Sequence, residues 1–290
     1  MIRILSDSTS DLSAELVKKY GIEIIPLFVR LGDDEYLDGV NITPDELYKW
    51  SDEHGTTPQT AAPGVEAIMD ILSKNRDDEF IIFTISSSMS ACFNNCRIAA
   101  EELGVQDKVR VIDSENLSTG IGLLIIEAAV KRDEMMSVAE ADEKQVADEI
   151  ANYIHDLIPR VRASFVIDTL TYLHRGGRCS GVAALLGNAL KLHPRIAVVN
   201  GAMRPEQKYR GRPHKYIMDY VRDMEKNYLT AKPDRVFITH SGCDREIIDS
   251  VEEYIRSLGR FDEILETRAG SVISSHCGPG TLGVLFIAGE

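Results

Sequence analysis

The sequence predicts an α/β protein in two parts: a first half, 1–162, built on a mainly parallel, doubly wound sheet with helices on both faces, and a smaller α+β second half, 163–290. Three observations predict it. Short apolar, β-branched runs alternate with helical spacings through the first half, the pattern of a parallel sheet covered by helices. The 290-residue length is about two domains' worth. Asn200 and Gly201, the strongest short hairpin signal, fall in the less regular second half.

Residues 2–6 form a short strand that runs into Asp7, Ser8, Thr9, Ser10 and Asp11. A helix over 12–20 closes on Gly21, and 22–29 is the next strand. Thr43 caps a helix that has Pro44 at its first position and Glu46 three residues after the cap, a capping box. A loop over 56–64 precedes a helix over 65–74. The run 80–85 is a buried strand, and from Met89 onward Phe93, Cys96, Ile98 and Ala99 recur at helical spacing. A strand over 109–113 ends on a carboxylate, a helix covers 117–132, and an acidic helical stretch over 139–157 leads to a crossover at 159–163. The second half opens with a strand over 163–167 and a short helix over 168–174 that ends in Arg175, Gly176, Gly177 and Arg178. Ser180 caps a helix reaching about Lys191, and the hairpin pairs 196–199 with 203–209. A helix over 213–227, a strand over 235–240, a helix over 244–258 and a strand over 263–267 follow. His276 stands on a glycine-rich turn before the closing strand, 281–287.

Composition narrows the function. A formal charge of −14 argues against nucleic acid or an anionic membrane surface as a general partner, because phosphate binding needs a broad basic field. The N-terminal residues turn polar too soon for a signal peptide, and the longest apolar run, 121–130, is broken by Glu127. A cytoplasmic protein with no integral membrane segment is expected, which leaves transient membrane contact open. Five scattered cysteines without a CxxC pair fit neither a disulfide framework nor a zinc site. No Walker A loop and no dinucleotide fingerprint occurs, so neither a metal nor a nucleotide cofactor is expected.

The candidate chemistry gathers where strands end. In an open parallel sheet ligands bind beyond the carboxyl ends of the strands, here at Asp7 to Ser10, Thr60, Ser86 to Ser90, Asp113 and Ser114. Ser86, Ser87, Ser88 and Ser90 lie where backbone N–H groups and the positive helix end point outward, and four hydroxyls exceed what capping needs. Arg175 to Arg178 is either an anion clamp or a helix C-cap. His276 is flanked by residues that hold backbone tightly, with Gly278 among them. Lys208, Arg210, Arg212, His214 and Lys215 make a basic cluster on an acidic chain, either a solvated face or a docking patch. Ser90, His276 and an acid such as Asp113 could serve a serine hydrolase or acyltransferase, but the G-x-S-x-G elbow is absent.

Several of these stretches together resemble one family. Ser6 to Ser13, Thr60 to Pro63, Ile85 to Ser90, Leu170 to Arg178, Leu190 to Pro194, Tyr209 to Arg212 and His276 to Gly280 occur in an order similar to that of the DegV family, the fatty-acid-binding subunits of bacterial fatty acid kinase. The resemblance implies a two-domain α/β fold with a ligand tunnel between the domains, and a bound long-chain fatty acid in place of a cofactor. It implies that the carboxylate meets Thr60, Ser90 and His276, with Ser86, Ser87, Arg178 and Gly278 in support. It also implies that this chain is a lipid-binding subunit, not itself an enzyme, serving phospholipid metabolism. A separate ATP-binding kinase would form the acyl-phosphate, docking on the surface that holds Arg210 and Arg212. The chain departs from the usual family pattern at Ala61, Ala62 and Gly64, and at Met89, Ala91, Cys92 and Phe93. A binding protein or sensor for another amphipathic acid is the remaining alternative.

Overall fold

The computed structural model describes residues 1–137, 141–179 and 192–289. The expected helix from Ser180 to about Lys191 lies outside them. β1 (Ile2–Asp7) runs through α1 (Ala14–Tyr20), which the Ser13 side chain caps, to β2 (Ile22–Ile25). The single strand expected over 22–29 divides here. Pro26 has no amide hydrogen to continue the ladder, and the chain leaves the first sheet to begin β3 (Phe28–Leu31) in another. β3 pairs antiparallel with β4 (Asp34–Leu37) on one side. The capping box on Thr43 and Glu46 forms at the start of α2 (Pro44–His54). Beyond it β5 (Gln59–Ala61), inside the stretch expected to be a loop, pairs with the other side of β3 and sets Thr60 opposite Val29.

α3 (Val65–Ser73), β6 (Glu79–Thr84), α4 (Cys92–Glu102) and β7 (Val109–Asp113) complete the first sheet, which is parallel throughout in the order β2-β1-β6-β7. Every residue of β6 is buried, as a central parallel strand requires. Its alternation divides the two faces: Phe80 and Ile82 pack with Ile68, Leu72 and Cys96 of α3 and α4, while Ile81 and Phe83 join a larger core on the opposite side. That side is covered by α5 (Thr119–Met136) and α6 (Glu143–Leu157).

The second half opens with β8 (Val161–Val166), two residues before the expected start, and α7 (Thr171–Gly176). β9 (His193–Val199) and β10 (Ala202–Tyr209) form the predicted hairpin, with Asn200 and Gly201 at φ 50° and 74°. The helix expected over 213–227 divides into α8 (Pro213–Asp223) and α9 (Glu225–Leu229), where the Met224 N–H reaches back only three residues, to Val221. β11 (Ala231–His240), α10 (Arg245–Ser257), β12 (Glu263–Arg268), α11 (Ser271–Cys277) and β13 (Leu282–Ala288) close the chain. This half is shorter in sequence yet carries the largest sheet, six strands in the order β10-β9-β8-β13-β11-β12, antiparallel except between β11 and β12.

α5 is the shared middle layer. It is buried from Thr119 through Ala129, and it packs on β1 and β6 of the first sheet and on β8 and β13 of the last. A helix apolar on all sides is a core helix, which is what the 121–130 run encodes. Glu127, the one charge in that run, is buried with Lys232 at 2.7 Å and Arg235 at 2.5 Å, and Tyr153 donates to it at 2.6 Å. Charge burial is tolerated because every partner is present. Glu127 thereby ties α5 to β11 of the last sheet and to α6.

Candidate functional site

Between the halves lies a cavity of about 250 Å³. Its walls are mainly apolar, with Leu27, Ile85, Met89 and Leu117 from the first half and Phe165 and Leu285 from the second. Thr60, Ser90, Arg178 and His276 line it as well. β5 supplies Thr60, the turn before α4 supplies Ser90, the segment after α7 supplies Arg178, and the last turn of α11 supplies His276.

His276 is on a helix, not on the glycine-rich turn expected for it. Serines and β-branched residues in α11 are indifferent helix formers, so the helix needs help from outside. Two buried carboxyl groups provide it: Asp11 accepts the Gly270 N–H at 2.8 Å and Asp38 accepts the Ser271 N–H at 2.7 Å. At the other end, His276 Nε2 lies 2.8 Å from Thr60 Oγ1, while Nδ1 is buried with no hydrogen-bond partner among the described residues. Burial, and then the charge of Arg178, lower its pKa to about 4, so the ring is neutral at physiological pH. A buried N–H without an acceptor is costly, which favours the tautomer with a bare Nδ1 and Nε2–H donating to Thr60. The Thr60 hydroxyl hydrogen is then free for a ligand.

Ser90 Oγ accepts the Cys92 N–H at 3.3 Å and touches Cys92 Sγ, also at 3.3 Å. Because sulfur is a weak acceptor, that hydroxyl can turn into the cavity. The imidazole is bonded to Thr60 and not to Ser90, and Asp113 accepts the N–H groups of Ser87 and Glu115. The Ser90, His276 and Asp113 relay of a hydrolase is therefore not assembled.

The supporting residues separate. Arg178 is exposed, lines the cavity and donates to Gly176 O at 2.6 Å. Ser86 lies outside the cavity lining; it is buried, and its hydroxyl donates to Gly201 O at 2.7 Å, docking the serine turn on the β9–β10 hairpin. Ser87 is exposed and also outside the lining. Gly278, at φ 77°, is packed so closely on Tyr172 that a Cβ there would fall 2.7 Å from the ring. Arg210 and Arg212 are exposed on the segment between β10 and α8 and lie outside the cavity lining. Sequence reasoning passed over Asp11 and Asp38 as supports of α11. Asp11 stands in the polar stretch four residues beyond the first strand, and nothing local marks it as buried.

Residues 1–289 match the family model for DegV, described as an uncharacterised protein of the DegV family. The chain belongs to the DegV family. A DegV family structure reporting fatty acid binding, from Thermus thermophilus, superposes with a TM-score of 0.84 at 27% identity, covering 99% of each chain. A stearic acid-binding protein from Eubacterium ventriosum gives a TM-score of 0.82 at 26% identity, covering 99% of this chain and 98% of that one. A fatty acid-binding protein from Thermotoga maritima is 28% identical over 290 residues, 97% of this chain and 96% of the relative. The DegV architecture, a helix-flanked parallel sheet joined to a largely antiparallel one, is thus the fold of this chain. Among its described residues no cluster of His, Cys, Asp and Glu could hold a metal ion, and no helix is long and apolar enough to cross a membrane.

Proposed function

We propose that this DegV protein holds a long-chain fatty acid in the cavity between its halves, 1–162 and 163–290, with the carboxylate at Thr60, Ser90 and His276. In this reading it acts in the cytoplasm and presents that carboxylate to a separate ATP-dependent kinase subunit, which forms the acyl-phosphate. The observation that carries the reading is a mainly apolar cavity whose lining includes the neutral imidazole of His276, the hydroxyls of Thr60 and Ser90, and Arg178. Fatty-acid binding by the similar proteins from Thermus thermophilus, Eubacterium ventriosum and Thermotoga maritima supports it.

The chemistry is consistent. Each buried CH₂ contributes about 0.8 kcal/mol before the costs of binding are subtracted, so the alkyl chain provides most of the affinity. Thr60, Ser90 and His276 stabilise the carboxylate by hydrogen bonds that do not lock it in a tight ion pair, leaving an oxygen able to attack the γ-phosphate of ATP. This chain adds no catalytic group; ADP would leave from the partner. The exposed Arg210, Arg212 and Lys208 form the proposed docking surface for that partner, a basic patch on a chain of charge −14.

Extraction of the purified protein followed by mass spectrometry should recover a long-chain fatty acid. Recovering none, and seeing none bind when oleate is added, would sink the reading. Arg210→Glu should slow kinase-dependent acyl-phosphate formation and leave fatty-acid affinity unchanged; equal turnover would remove the docking claim.

A further inference from the structure

The run Arg175, Gly176, Gly177, Arg178 holds two adjacent glycines whose requirements differ. Gly177 has φ 69°, the left-handed conformation that ends α7, and a Cβ built on it meets nothing within 4 Å. Gly176 is the last residue of α7 and is not among the positive-φ glycines, so its backbone would accept any residue. Space is what demands glycine there. A Cβ on Gly176 would overlap His276 Nδ1 and lie 3.3 Å from both Cε1 and Cγ of the same ring. That nitrogen is the one buried without a partner, so the ring edge rests against bare α7 backbone while its far edge reaches Thr60.

We propose that Gly176 is a positioning residue for the fatty-acid site: its missing side chain is the space that seats the His276 imidazole and directs Nε2 to Thr60. The proposal rests on the reading of His276 as a carboxylate ligand. Any side chain at 176 displaces the ring toward the cavity, and the 2.8 Å contact that frees the Thr60 hydroxyl for a ligand is lost.

The test uses the full chain as wild type, Gly176→Ala and Gly177→Ala, each with His276 intact and in the His276→Ala background. Oleate affinity is measured by titration calorimetry, and the tautomer of His276 by its ring ¹⁵N resonances. Gly176→Ala should weaken oleate binding about ten- to hundredfold, the worth of a hydrogen bond to a charged group. It should move the His276 ring resonances and cost nothing further once His276 is alanine. Gly177→Ala strains the helix end yet should leave those resonances where they are. The proposal is overturned if Gly176→Ala keeps wild-type resonances and affinity, or if Gly177→Ala reproduces its effects. Should Gly176→Ala fail to fold, the double variant with His276→Ala, which removes the obstructed ring, should fold, and its failure would also overturn the proposal. If the wild type binds no oleate, the functional reading falls, while the ring resonances still decide the role of Gly176.

Discussion

The two ends of α11 hold buried polar groups in opposite ways. At its start, Asp11 and Asp38 take the Gly270 and Ser271 N–H groups, and their other oxygens accept from Ser118 and Ser8, so this end is a satisfied joint to the first half. At its finish, His276 shares one hydrogen bond with Thr60 and leaves Nδ1 bare. One seven-residue helix carries both a structural anchor and a candidate site, and hydrogen-bond accounting tells them apart: a fully paired buried group serves the fold, and an incompletely paired one beside a cavity is available to a ligand.

The largest effects should appear on titration, where the two ends move in opposite directions. Burial, with Asp38 and Asp7 adding to it, raises Asp11 to about 8, so the folded state keeps a proton the unfolded chain gives up near 4. The stability it contributes is present at low pH and lost as pH rises between about 4 and 8, by as much as about 5 kcal/mol. Asp11→Asn should flatten that slope in urea unfolding measured across the range. His276, lowered to about 4, behaves in reverse: the unfolded chain takes up a proton first, and stability falls as pH drops from about 6.5 to 4, by about 3 kcal/mol. His276→Ala should remove that acid-side loss; an unchanged acid limb would show the ring is not buried neutral.

At fixed neutral pH the contrast is between stability and binding. Asp38→Ala strands the Ser271 N–H and should cost about 2–4 kcal/mol in urea unfolding; a loss under about 1 kcal/mol would mean the joint does not anchor α11. His276→Ala should cost no more than about 1 kcal/mol at that pH, since it removes an unpaired nitrogen, yet weaken oleate binding about ten- to hundredfold by calorimetry, as much as Gly176→Ala. The smallest effect is expected of Thr60→Val, which keeps the shape of β5 and deletes only a hydroxyl. A few-fold weaker oleate affinity with stability within about 0.5 kcal/mol is the expected result, and a large loss of stability would reassign Thr60 to the fold.

Much of the frame was legible because it depends on local rules. The β-α alternation, the capping box at Thr43 and Glu46, the hairpin at Asn200 and Gly201 and the helix after 117 each follow from neighbours a few residues apart. What escaped was held from a distance. β5 is three residues long and is a strand only because β3 lies beside it. The split at Pro26 could be suspected from the proline, but the second sheet that receives the chain could not. α11 forms in a weakly helical stretch because acids more than 200 residues earlier take its first N–H groups.

By itself, the sequence offered hydroxyls at 60 and 90 and an imidazole at 276 as candidates to meet an anion. Only the tertiary structure decided that Thr60 and His276, 216 residues apart, touch, that the imidazole is neutral, and that Gly176 rather than Gly177 makes room for it. The physical reason is that propensity and capping act along the chain, whereas burial, desolvation and close packing depend on what the folded chain brings together from its whole length.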